Sequence, residues 1–255
     1  MRLQKIKQQG FSLVEMAIVL VILGFVLTAL LLPLRAQREQ AAQLQTINTL
    51  ETAKQTLLGF AQANGRLPCP AIAGSGIAAP NASGACTQQV GFLPAATLGL
   101  QPVDAQGFAL DAWNNRIRYA VTQNNVDITT GVATLNPVFT TSNGLNEAGI
   151  AGLIQSASLR VCASSSTFST TCSATPISSE NNYLINNAVV VIFSTGATGN
   201  LGAGSADEAE NLDTDAVFVS RDISQAAAPN EFDHLVTWIS PYVLYNAMIQ
   251  AGQLH

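Results

Sequence analysis

Charge is what this sequence has least of. Asp, Glu, Lys and Arg together make up 11% of its 255 residues, against an apolar content of 48%. That balance excludes a disordered chain, which needs high charge and low hydrophobicity. Of the two signs, the basic one is scarcer: 11 Lys and Arg face 16 Asp and Glu, for a net charge of −5. Nucleic-acid binding requires a basic face for the phosphates, so charge excludes that class of partner. Histidine occurs only as His234 and His255, and none of the four cysteines forms a C-x-x-C pair, which removes the usual zinc arrangements. Catalytic motifs are equally scarce. No G-x-S-x-G is present, and no Lys-Ser/Thr follows Gly196, Gly199, Gly202 and Gly204 to make a phosphate loop. Asp233 and His234 are neighbours that a strand would point to opposite faces, with His234 expected at the surface or in a local hydrogen bond. The expectation is a protein that is not an enzyme, has no cofactor, and holds one core or a core plus an appendage.

What the sequence does have is one long apolar run near its start. Arg2, Lys5 and Lys7 form a short basic leader that ends at Gly10. Phe11 to Leu34 then runs for 24 residues with a single formal charge, Glu15, and two hydroxyls, Ser12 and Thr28. As a helix this stretch would be about 36 Å long, enough for a bilayer core of roughly 30 Å. A secretory signal peptide has a shorter apolar core, about 7–15 residues, and a small-residue cleavage site that is absent here. An unpaired carboxylate in such a segment costs about 2.5–3.5 kcal/mol on insertion scales, less near a helix end. Glu15 therefore asks for a partner. Loss of the leader would leave 8 basic against 16 acidic residues, so the remainder is more acidic still.

Beyond the run, Leu44, Ile47, Leu50, Leu57 and Leu58 recur at near-helical spacing, and Asn64-Gly65 suits a helix end. The pattern predicts one long helix from about Phe11 to Ala63, with a hinge at Pro33 as the alternative. All four cysteines, Cys69, Cys86, Cys162 and Cys172, lie on the far side of the apolar run from the leader. An even count there suggests disulfides in an oxidising compartment. Of the three possible connectivities, Cys69–Cys86 with Cys162–Cys172 closes two short Gly/Ser/Thr-rich loops. Strand patterning falls on 116–121, 157–162, 188–194, 217–219 and 235–239, with a closing helix over 242–251 and loops over 71–89, 122–148 and 163–182. The fold class is α+β: a long N-terminal helix packed on an antiparallel β-sheet head with long loops.

Gly10-Phe11-Ser12-Leu13-Val14-Glu15 followed by the apolar run resembles the processing site of type IV pilins and type II secretion pseudopilins. The resemblance implies that a prepilin peptidase cuts between Gly10 and Phe11 and methylates the new amine of Phe11. It also implies that Glu15 meets the N-terminal amine of a neighbouring subunit during assembly. The chain would divide into a leader (1–10), a transmembrane and filament-core helix (11–34), an amphipathic continuation (35–64) and a β-rich head (65–255). It would begin as a single-pass precursor in the bacterial inner membrane with its head in the periplasm, and end in a periplasmic or extracellular filament. Its partners would be the peptidase, other pilin or pseudopilin subunits and an inner-membrane assembly platform.

Phrases of the head are similar to minor-pilin and pseudopilin heads: Gly65–Pro70, Asp111–Asn115 running into Arg118–Val121, Ser194–Gly199, and Glu231–Trp238. In major pseudopilins a loop after a Ser-x-Gly-x-x-Gly phrase binds calcium, and Asp207, Glu208, Glu210, Asp213 and Asp215 occupy that region here. The spacing is not that of an EF-hand, Thr198 stands where the phrase usually carries an acid, and a solvated acidic loop is the alternative. Three roles are compatible with the resemblance: a structural subunit of a type IV pilus, a tip-located minor pilin acting as a binding module, and a type II secretion pseudopilin. A head of this size favours a minor or specialised subunit.

Overall fold

The computed structural model describes residues 12–82, 84–126, 133–149, 158–164, 182–202 and 204–254. Its contacts divide into two units, Met1–Leu44 and Gln45–His255. A single helix, α1 (Leu13–Asn64), contributes to both and is unbroken at Pro33. The Asn64-Gly65 stop is real: Gly65 adopts a φ of +63° and its N–H donates to the Ala61 carbonyl. A left-handed residue just past the last turn is the usual way a helix releases its final carbonyls, and glycine does it without a Cβ penalty.

The first unit holds the start of α1. Within it Leu13, Val14, Ala17, Ile18, Val21 and Ile22 form one continuous apolar strip, and Leu13 and Phe25 are 90% and 74% exposed.

In the second unit, a four-stranded antiparallel sheet has the order β1 (Val90–Phe92), β2 (Arg118–Val121), β7 (Val190–Ser194), β9 (Leu235–Ile239). A three-stranded sheet has β5 (Leu159–Cys162) between β6 (Tyr183–Ala188) and β8 (Val217–Val219). A separate hairpin joins β3 (Asn124–Val126) to β4 (Ala133–Leu135) inside the stretch expected to be loop. Short helices are α2 (Ala95–Leu98), α3 (residues 144–149), α4 (Ala206–Leu212) and α5 (Pro241–Gln250). The α+β expectation is met, with one refinement: β5 and β8 run parallel.

The four-stranded sheet is covered on both faces, which is why β7 is apolar at nearly every position. On one face Tyr119, Val121, Val190, Ile192 and Ile239 pack against Leu50, Ala53, Leu57 and Ala61 of α1 and Leu244 and Met248 of α5. On the other, Ala120, Val191 and Phe193 meet Leu159, Val161 and Phe218 of the second sheet. Alternation along β2 and β7 sends successive side chains to opposite layers. Leu44 and Ile47, expected in the helix stripe, are 63% and 47% exposed, whereas Thr46 is fully buried and its Oγ1 accepts from the Ala112 N–H at 3.1 Å. The Gln62 side chain donates to the Ala247 carbonyl, tying α1 to α5.

The Cys69–Cys86 disulfide is formed, and both sulfurs lie in the core. Cys162, at the end of β5, is also disulfide-bonded. Its expected partner, Cys172, lies outside the described residues.

Candidate functional site

The start of α1 is the first place where exposure and chemistry disagree. Ser12 caps the helix: its hydroxyl accepts from the Glu15 N–H at 3.2 Å and its carbonyl accepts from Met16. Glu15 sits in the first turn, where the positive end of the helix dipole favours a carboxylate. It is exposed, and so are Leu13, Val14, Met16 and the apolar residues up to Val26. An acid on an uncovered apolar rod is free to meet a partner charge. Gly10 and Phe11 lie outside the described residues. Among the described residues no helix is long and apolar enough to cross a membrane. The part of α1 whose apolar side chains are described, Leu13–Val26, rises about 21 Å, less than a bilayer core.

The second place is a buried polar knot that joins three of the phrases quoted above. Asp111 sits at the start of a turn whose fourth residue, Asn114, has a φ of +66°. Its Oδ1 accepts from the N–H groups of Trp113 and Asn115 at 2.9 and 2.8 Å, while Oδ2 accepts from the Ser194 hydroxyl at the end of β7. The Asn115 side chain donates to the Gly196 carbonyl at 2.6 Å, and Ser194 Oγ accepts from the Gly196 N–H. Gly196, with a φ of +66°, lies so close to Asp233 that a Cβ would collide with that residue's backbone and carboxyl group. The Thr198 N–H donates to Asp233 Oδ2 at 2.7 Å. The backbone of Thr198 thus binds an acid supplied from 35 positions further along the chain.

From Asp233 the network continues into α4. Ser205 caps that helix by accepting from the Glu208 N–H, and Glu208 accepts from Gly204 N at 2.8 Å and Asp233 N at 3.1 Å. Asn211 Oδ1 accepts from Val219 N, and its amide donates to Val219 O and faces His234 Nδ1 at 3.0 Å. The amide carries two hydrogens, so Nδ1 of His234 is the acceptor and the ring is neutral. His234 is 3% exposed, packed by Phe193 and Phe232; burial pushes its pKa down to about 4. A surface position for His234 is thus overturned, because Phe232 and Phe193 close over it. Glu208, Asp233 and His234 have ligand atoms within 4.8 Å of one another, but Glu208 is engaged by two backbone N–H groups.

The five acids considered for calcium do not form one set. Asp207 is buried in an ion pair with Arg221 at 2.6 Å and accepts from Ser164, and Glu208 belongs to the knot. Only Glu210, Asp213 and Asp215 converge, within 4.8 Å. Asp213 and Asp215 each use one oxygen on a backbone N–H of the same loop. Crowding raises Glu210: burial first, then the charges of Asp215, Asp213 and Asp207, bring its pKa to about 7. The spacing of these acids along the sequence carried no sign of this division of labour.

Comparison with known proteins places the functional signal at the start of the chain. No curated protein and no solved structure matches the sequence. Residues 5–31 match the family described as the prokaryotic N-terminal methylation motif, a stretch that contains Gly10, Phe11 and Glu15. The chain therefore carries a prepilin-type N-terminus, the motif of type IV pilins and pseudopilins.

Proposed function

We propose that this chain is a structural subunit, minor or specialised, of a type IV pilus or a related filament. Prepilin peptidase cuts it after Gly10 and methylates Phe11, and the subunit assembles through its N-terminal helix. The observation that carries the reading is the methylation motif over residues 5–31, which runs into a helix whose apolar side chains are uncovered in the described chain. Burying those side chains, first in a bilayer and then among other subunits, is a gain of roughly 1.5–3 kcal/mol for each large one. In an apolar bundle the carboxylate of Glu15 is tolerated only when paired, and the amine of Phe11 on a neighbour supplies that charge. The proposed organisation is a leader over 1–10, a membrane and filament-core helix over 11–34, its amphipathic continuation over 35–64, and a head over 65–255. The precursor spans the inner membrane once with the head in the periplasm.

The test is mass spectrometry of the N-terminal peptide from membrane and sheared surface fractions. A methylated Phe11 terminus is expected, and an intact Met1 or a cut beyond residue 30 refutes the assignment. Glu15→Ala should be processed normally yet assemble poorly; undiminished assembly removes the pairing role.

A further inference from the structure

Between the leader and Lys54 the chain has two basic residues, Arg35 and Arg38, and they follow directly on the apolar run that ends at Leu34. Both belong to the first unit, on a helix unbroken from Leu13 to Asn64. Positions three apart on a helix share a face, where two like charges repel. The residues three and four positions from Arg38 are Leu34, Arg35, Ala41 and Ala42, so the helix itself offers Arg38 no carboxylate. Arg38 is exposed and forms no ion pair with any described residue. The one acid close by, Glu39, adjoins Arg38 in sequence, and such neighbours do not face each other on a helix. Glu39 Oε1 instead accepts from the Gln43 side chain at 3.4 Å. Glu39 also stands four positions after Arg35, which is the weaker order for a helical ion pair.

The depth of the two arginines follows from the helix rise. Measured from Leu13, they lie about 33 and 38 Å along the axis. A bilayer is about 30 Å thick in its hydrocarbon core and about 40–45 Å with its headgroups. A helix that enters the hydrocarbon at Leu13 therefore delivers both arginines to the far headgroup layer, where the phosphodiesters are. A guanidinium fork binds two phosphate oxygens at once, and an anion shared by two arginines turns their repulsion into attraction. We infer that Arg35 and Arg38 form a clamp for the phosphate of an anionic phospholipid. Charge complementarity selects that headgroup over a zwitterionic one, whose own cation already offsets its phosphate. Continuity with the apolar run selects a lipid over a free anion. This inference rests on the filament-subunit reading, which places the run in a bilayer, and adds a lipid that the subunit must give up on leaving it.

The test reconstitutes the full chain in nanodiscs of mixed phosphatidylglycerol and phosphatidylcholine and counts the lipids it retains by native mass spectrometry. The parent should keep phosphatidylglycerol in preference, and Arg35→Gln/Arg38→Gln should reduce that preference at least about fivefold. Arg2, Lys5 and Lys7 of the leader are common to both chains, so the difference reports positions 35 and 38. An equal preference in the two chains, or none in the parent, overturns the clamp. Displacement of phosphatidylglycerol by inorganic phosphate also overturns it, because the site would then belong to a free anion. A chain that stays out of the disc overturns the subunit reading along with the clamp, whereas lost selectivity in an inserted chain overturns the clamp alone.

Discussion

Asp111→Ala offers the sharpest test of the polar knot. Asp111 is 6% exposed and accepts three hydrogen bonds, from Trp113 N, Asn115 N and the Ser194 hydroxyl. Each bond to a charged acceptor is worth about 1.5–3 kcal/mol, but they share one carboxylate and do not add fully. Truncation also leaves two backbone donors without their acceptor beside a left-handed Asn114. Together these effects predict a loss of about 3–5 kcal/mol, which for a head of this size lowers the melting temperature by roughly 6–20 °C. Both tryptophans, Trp113 and Trp238, are in the head, so tryptophan fluorescence of the full chain in detergent follows the transition. Asp111→Asn keeps one acceptor oxygen and should lose about half as much. If Asp111→Ala melts within about 2 °C of the parent, the carboxylate does not hold the turn and the knot has been misread.

Gly196→Ala should destabilise the head by about 3 kcal/mol or more, because it combines a φ of +66° with a collision against Asp233 backbone. Gly204→Ala, whose Cβ meets only the end of the Glu231 side chain, should cost under about 1 kcal/mol by the same melt. Replacing both Cys69 and Cys86 by serine opens a loop with a sequence separation of 17 and should cost about 3 kcal/mol in urea unfolding under otherwise identical conditions. His234 has a folded pKa of about 4 against an ordinary 6.5, so the unfolded chain takes up its proton first. Its contribution to stability is whole above pH 6.5 and is lost as the pH falls towards 4; His234→Gln should flatten that part of the stability profile. Glu210 runs the other way. With its folded pKa raised from 4.5 to about 7, its contribution is whole below pH 4.5 and lost as the pH rises through 7. Glu210→Gln should therefore stabilise at pH 8, by no more than about 1 kcal/mol once solvent screening is counted, and make no difference at pH 4.

Much of the fold was legible because its signals are local. The Asn64-Gly65 helix stop, the apolar β7, and β9 ending at Ser240-Pro241 are all readable over a few residues, and each is present. Other features were not legible. Helical periodicity placed Leu44 and Ile47 in the buried stripe, but where that stripe is covered depends on where the sheet lies, and Thr46 is buried instead. The helix α4 was missed because a run of acids reads as a solvated loop; Asp207 and Glu208 turn inward only because Arg221, Gly204 and Asp233 receive them. The β3–β4 hairpin lies in a Ser/Thr/Asn-rich stretch, and strands of three residues each are too short to stand out as a periodic signal.

By itself the sequence determined that the chain starts with a prepilin-type motif and a long apolar run carrying one acid, since cleavage chemistry and membrane affinity are properties of contiguous residues. Tertiary structure alone decided which polar groups are engaged and which are left over. Asp111 and Ser194 are 83 positions apart, and Thr198 and Asp233 are 35 apart. Pairings of that kind depend on how layers stack, and no stretch of neighbouring residues encodes them.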